Sequence, residues 1–290
     1  SMAMTIFALG APIGAWLGSD LAGYVSNLHG WRAAFLVLGV PGVILAIIMM
    51  VTIKEPTRGR LDAVVDDKAP SVMETVRFLW SQKAAVHAMI GAGLSAFWGW
   101  GLMWFTPLFL QRTYGMDEGA AGALLGEIYL VGGIGASLVT AYVVARPSFT
   151  DPRKISNLLA VVTAAATIPS FLAYWTYDLG VAKLMWWIFI PAIYFYIGPA
   201  MALCQNLAAP KMRGMAIAIS LIIANLLNLI VAPAIVGGLS DYFAGSQPAG
   251  AESLRLAQLI LAPSGLWAAW HYWRASKYII EDQKRAVGYV

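Results

Sequence analysis

The chain has 290 residues, of which 60% are hydrophobic and only 12% charged, with a mean hydropathy of +0.70. A soluble domain, about a quarter of it charged, has no interior large enough to hide so much apolar surface, whereas a bilayer accepts it on every spanning helix. The formal charge of +4 matters through its placement in loops, not as an attraction for nucleic acid, and the single cysteine, Cys204, excludes an internal disulfide framework.

Apolar runs of about 20 residues, the length a helix needs to cross the hydrocarbon layer, set the elements. Eight are expected, over approximately 2–26, 31–53, 84–111, 119–145, 155–176, 181–206, 213–241 and 253–275. The first has no basic residue before Arg32 and carries Pro12, so it reads as a span and not a cleaved signal peptide. Prolines inside later spans, Pro41, Pro107, Pro169, Pro191, Pro199 and Pro233, predict kinks that neighbouring helices tolerate.

Between spans two and three, residues 54–83 hold Lys54, Arg58, Arg60, Asp62, Asp66, Asp67 and Lys68 and read as a solvated linker. Within it Ser71-Val-Met-Glu74 has the spacing of a capping box. The short helix it predicts carries Val72, Val76, Leu79 and Trp80 along one side, a surface that would rest on the membrane. Basic residues orient the whole: the side opposite this linker holds only Arg32, Arg112, Lys183 and Arg255 of the 19 Lys and Arg. The positive-inside rule then puts the linker and both ends of the chain in the cytoplasm, in the plasma (inner) membrane.

Span three is aromatic at its centre, with Phe97, Trp98, Trp100, Trp104 and Phe105, while Trp31, Trp80, Trp175, Trp186 and Trp187 fit interfacial belts. A central tryptophan such as Trp98 or Trp104 stacks on a ligand or simply packs. Glu127 lies about nine residues inside span four, roughly 14 Å deep by helical rise. A carboxylate there costs about 2.5 to 3.5 kcal/mol on insertion scales, so it must face protein or water. Its candidate roles are proton carrier, partner for a cationic group, or a neutral acid fastening two helices. Tyr194 and Tyr196 sit mid-depth in span six between Pro191 and Pro199; Gln205 and Asn206 at that span's end are candidates for a gate. Asn225 and Asn228, three apart, would share one helical face near mid-depth, binding a polar head group or bridging helices.

Residues 11–20 read APIGAWLGSD and residues 232–241 read APAIVGGLSD, in spans one and seven at matching depth and orientation. Four shared residues in ten also arise by chance in glycine-rich helices. A six-helix unit used twice accounts for them better, because the only long loop follows span two, where a join between halves would lie. Spans two, five and eight have no charged or amide side chain at their centres, whereas spans three, four, six and seven carry Ser95, Glu127, Gln205, Asn206, Asn225 and Asn228. That is the pattern of a central pathway wrapped by peripheral helices. Asp20 and Asp241, which end the two phrases, read as structural groups at an outer latch; Pro12 and Pro233 serve bending and close approach.

These residues resemble a known family. Gly30-Trp31-Arg32 with Ala34-Phe35, Gly39, Pro41-Gly42 and Lys54-Glu55-Pro56 is similar to the helix five to six region of the major facilitator superfamily. Pro107, Phe109-Leu110, Arg112, Gly115-Met116, Ala121-Gly122 and Gly126 resemble its helix seven to eight region. Arg213-Gly214, Ala216, Ala218, Asn225-Leu226, Pro233, Gly237 and Ser240-Asp241 resemble helix eleven, with a Spinster-like flavour. The resemblance implies an all-α polytopic protein whose eight spans correspond to helices five to twelve of a twelve-helix fold. Residues 1–53 would be the last two helices of the first half, 54–83 a cytoplasmic linker, 84–275 the six-helix second half and 276–290 a cytoplasmic tail. The four helices before them would be a partner of this chain.

The implied function is secondary active transport of a small organic or lipid-like solute, in contact with membrane lipids and coupled to protons. The proton-coupling acids of Spinster-like carriers belong to the half that precedes these spans, so none maps here. Of the signature loop's counterpart only Asp151, Arg153 and Lys154 remain. Two other classes were weighed. A membrane enzyme lacks support: there is no HExxH, no GxSxG and no GxxxxGKS/T nucleotide loop, and His29, His87 and His271 fall near span ends. A non-transporting scaffold or receptor, or an inactive truncated carrier, is the alternative. The sequence points to no cofactor and no metal.

Overall fold

The computed structural model describes residues 2–53 and 70–288, with side chains from Gly10 onward. The part of the linker with Lys54 through Lys68 lies outside the described residues. Everything described is helix or short connection, with no strand, as the bilayer demands of any segment whose backbone groups find no water. Helices α1 (Met2–His29) and α2 (Trp31–Thr52) form a hairpin joined by one residue, Gly30, at φ 79. Only glycine takes that conformation without strain, which is why Gly-Trp-Arg opens span two.

After the linker come α3 (Val72–Trp80) and the long α4 (Lys83–Tyr114), closed by Gly115 in the left-handed region. Span four is α5 (Glu118–Glu127), a π-helical turn at Ile128–Gly132 and α6 (Gly133–Val144). Helices α7 (Pro152–Trp175) and α8 (Leu179–Asn206) follow. Span seven repeats the plan of span four: α9 (Arg213–Asn225), a π turn at Leu226–Val231, and α10 (Ala232–Ala244). Span eight is broken into α11 (Ala251–Leu261) and α12 (Ser264–Ser276), and α13 (Ile279–Val287) ends the fold. Six of these tracts are long and apolar enough to cross a membrane on their own; α1 and the α11–α12 pair bring the crossings to the eight expected. Aspartates fix the entries, Asp117 accepting from Ala120 N at 2.7 Å, Asp151 from Arg153 N at 2.9 Å and Asp178 from Val181 N at 2.9 Å. The Arg153 guanidinium, bonded to Asp151 at 2.8 Å, holds that carboxyl below its usual range.

Helix α4 is the hub, touching α8, α9, α11 and α12. Its buried hydroxyls and rings find partners on every side: Thr106 Oγ1 and Tyr174 OH lie 2.7 Å apart, and Ser95 donates to Tyr272 OH at 3.3 Å. Gln258 donates to Leu102 O at 3.3 Å, so α11 carries a buried amide just outside the stretch read as purely apolar. The break at residues 262–263 follows from Pro263, which cannot continue the α ladder. Trp186, read as an interfacial belt residue, is wholly buried against Phe109 and Tyr174.

The short helix α3 forms where its cap predicts, Ser71 Oγ accepting from Glu74 N at 3.2 Å. Its buried side is different from the one expected. Thr75 and Leu79 face inward, Val76 is half-buried, and Val72, Met73 and Trp80 point away, because α3 lies on the ends of α4 and α9. The C-terminal tail likewise docks: Asp282 accepts from Ala84 N at 2.6 Å and thereby caps α4.

Helices α1 and α2 meet the rest of the bundle chiefly through α1 on α5. A Cβ at Gly23 would stand 2.6 Å from Glu118 O, and one at Gly122 would collide with Ser19 O. Backbone therefore meets backbone. Gly122→Ala should destabilise the solubilised protein by about 1 to 3 kcal/mol, a cost typical of overpacking, read as a lower melting temperature. Gly135→Ala, whose added carbon meets nothing within 4 Å, should leave it unchanged or raised.

Candidate functional site

Three helices bring an aromatic wall together. On α4, Trp100 and Trp104 stand one turn apart and share a face, with ring centroids 6.4 Å apart. Tyr194 of α8 meets Trp100 edge-on at 5.7 Å, the geometry that ring quadrupoles favour. Asn228, in the π turn of span seven, accepts from Trp104 Nε1 at 2.7 Å and is itself buried. Trp104 is thus held by its nitrogen while half its surface, 50%, stays exposed. Tyr194 is 4% exposed and its hydroxyl has no hydrogen-bond partner. A buried donor of this kind costs free energy until something accepts from it.

The other candidates fall around this wall unequally. Glu127 is exposed and immediately precedes the π turn of span four. Just beyond that turn, the Cβ that Gly133 lacks would fall 2.8 Å from Pro12 Cβ of α1 and 3.1 Å from Tyr194 Cε2; Gly132 is as close to Pro191 of α8. Pro12 therefore serves close approach. Pro233 stands next to the first residue of α10, directly after the second π turn. Its missing N–H and its ring, which presses on the carbonyl four residues back, give a reason for the ladder to widen there.

Two expectations change. Asn225 and Asn228 do not share a face: Asn225 is exposed and Asn228 buried, because the wider turn that opens between them rotates less per residue than an α-helix. Trp98 is 1% exposed, donates to Ser170 Oγ at 3.1 Å and presses on Gly265, so its indole joins α4, α7 and α12 and has no face left for a solute. Gln205 and Asn206 are exposed at the end of α8. Asp20 lies with its Cβ against Gly126 and Asp241 is exposed; neither carboxylate has a hydrogen-bond partner among the described residues. His87 and His271 do converge, Nδ1 to Nδ1 at 2.9 Å, but at the end of the bundle. Sequence reading left Trp100 outside the site, although its i,i+4 spacing to Trp104 was there to be seen.

A polar side chain, a π turn and a small or proline residue follow one another on both spans four and seven, set against an aromatic hub, and comparison with known proteins decides the family. The profile of the Major Facilitator Superfamily matches residues 1–233. This chain belongs to the major facilitator superfamily. An MFS-type efflux pump of Mycolicibacterium smegmatis is 27% identical over 98% of the chain and 66% of its own length. Protein spinster homolog 3 of Danio rerio is 22% identical over 99% of the chain and 61% of its own length. The facilitator chain thus spans less than two thirds of these curated relatives. Among solved structures, a bacterial homolog to the human lysosomal transporter Spinster matches in its inward-facing, occupied form with a TM-score of 0.70 at 22% identity, covering 97% of this chain and 69% of that one. Its inward-facing, unoccupied form matches at 0.67. The chain is a membrane-embedded member of that superfamily with an all-helical fold compatible with eight crossings, similar to the Spinster proteins.

The Trp104–Asn228 bond is open to test. In a double-mutant cycle of Trp104→Phe and Asn228→Ala, thermal unfolding should report a coupling of about 0.6 kcal/mol, the average for hydrogen bonds between membrane helices. Additive single effects would mean that the two side chains do not hold each other.

Proposed function

We propose that this chain forms the second half, with the last two helices of the first, of a twelve-helix secondary transporter that moves a small organic or amphipathic solute by alternating access. The observation that carries it is the wall of Tyr194, Trp100 and Trp104, pinned by Asn228. Such a surface binds an apolar body by stacking, while the unpartnered Tyr194 hydroxyl offers one directional contact to a polar group. Glu127, exposed next to a π turn, is the proton carrier of this reading, because an acid at mid-depth changes charge only where water or substrate reaches it. Gln205 and Asn206 form the mouth at the basic end, and Asp20 lies beside the outer crossing of α1 and α5. The basic loops around Arg153, Lys154, Lys211 and Lys277 support a cytoplasmic position for that end by the positive-inside rule.

The names of the relatives support the reading, an efflux pump and spinster proteins. Amphiphiles are the favoured solutes. The test is reconstitution of this chain with the four helices that would precede it, in proteoliposomes carrying a pH gradient, with a fluorescent lysophospholipid and ethidium as probes. Gradient-driven uptake of one probe should fall at least tenfold in Glu127→Gln and in Trp104→Ala, while Glu127→Gln keeps downhill exchange. Gradient-driven uptake at an unchanged rate in Glu127→Gln removes this carboxylate from coupling.

A further inference from the structure

Helix α12 packs one side against α4 and α7 and leaves the other without a packed helix among the described residues. Ala268, Tyr272 and Ala275 are wholly buried on the packed side, while Trp267, Trp270 and Trp273 are 57%, 47% and 45% exposed on the free one. Three tryptophans at i, i+3 and i+6 make a continuous strip along the helix. At its foot, toward the end of the bundle where α13 docks, three cations gather. Lys277 Nζ sits 3.6 Å from the centroid of Trp273. Arg274 Cζ and Lys83 Nζ lie 5.4 and 5.3 Å from the centre of one ring, Tyr278. Arg274 also reaches over Trp270 at 5.9 Å and donates to Tyr278 OH at 2.8 Å.

None of the three cations forms an ion pair among the described residues. The Asp282 carboxylate is engaged elsewhere, accepting from Ala84 N and lying 3.8 Å from Arg285. Arg274 Nε is buried and has no acceptor at all. An N–H of a guanidinium shielded from water without an acceptor is rare and costly. Cation–π contacts orient the cluster but leave its net charge uncompensated.

We propose that this face of α12 is a binding site for one anionic phospholipid, its phosphate held among Arg274, Lys277 and Lys83 and its acyl chains lying along Trp267, Trp270 and Trp273. The phosphate oxygens accept from the Arg274 guanidinium and from the ammonium groups, charge-assisted bonds that a zwitterionic lipid's own choline would compete for. The strip runs along a helix in the hydrocarbon layer, so the occupant has to be apolar above and anionic at one end. A soluble anion satisfies only the foot, and a protein segment would have to enter the bilayer to meet the rings. The site is remote from the aromatic wall and does not depend on the transport reading.

The purified protein, equilibrated in nanodiscs of equal phosphatidylglycerol and phosphatidylcholine and released for native mass spectrometry, should retain one phosphatidylglycerol in at least fivefold preference. Arg274→Gln with Lys277→Gln should abolish the preference, Arg274→Lys should keep most of it, and Arg112→Gln at the opposite end should not change it. Equal retention of both lipids, or a double variant that retains phosphatidylglycerol like the parent, overturns the proposal, as does a lipid-free dimer. Should the double variant not fold, brominated lipids decide on the unaltered protein: brominated phosphatidylglycerol should quench tryptophan fluorescence more than brominated phosphatidylcholine at the same mole fraction, and equal quenching refutes the site.

Discussion

Hydrocarbon offers no hydrogen bonds, and that single constraint shapes this chain from end to end. Every crossing is helical because each backbone N–H must find its carbonyl within its own segment. Departures from the α ladder are then costly, and they occur at only a few places among the described residues: the two π turns and the break before Pro263. None is random. Each π turn begins right after a polar side chain, Glu127 in one span and Asn225 in the other, and a wider turn inside a helix is a common mark of function.

Close approach does the rest of the work that the hydrophobic effect cannot, since lipid tails are as apolar as the helices they surround. Glycine lets α1 and α5 touch backbone to backbone at Gly23 and Gly122, and Gly265 makes room for Trp98. Buried hydroxyls then tie the helices around the hub: Ser156 of α7 donates to Tyr272 O of α12 at 2.6 Å, and Ser170 of α7, which donates to Thr167 O at 2.8 Å, accepts from Trp98 of α4 at 3.1 Å. With its outer faces fixed in this way, α4 presents Trp100 and Trp104 in one orientation.

Much of this was legible in the sequence. Apolar length gives the spans and Ser71 the start of α3; Gly30, Asp117 and Asp151 are turn and cap residue types that the structure puts at helix ends. What could not be read was which way each helix faces. Span three is apolar all round, so no stripe distinguishes Trp98 from Trp104; only the neighbours, α7 and α12 on one side and Asn228 on the other, separate a packing indole from an exposed one. Asn225 and Asn228 parted for a different reason, because spacing rules assume an α ladder and the ladder widens between them. The same ignorance of neighbours placed Trp186 in a belt when it lies in the core. Pro263, by contrast, was a readable break.

The acid and the wall occupy different kinds of place, and the difference bears on how such a protein works. Trp104 belongs to the hub itself and Asn228 to the span that packs on it, so their 2.7 Å bond does not involve α1. Glu127 opens a turn whose far end is wedged from two sides, Gly132 by Pro191 of α8 and Gly133 by Pro12 of α1. A change in the angle between α1 and α8 therefore acts on the turn that starts at Glu127, which puts an intramembrane carboxylate beside the contact between those two helices.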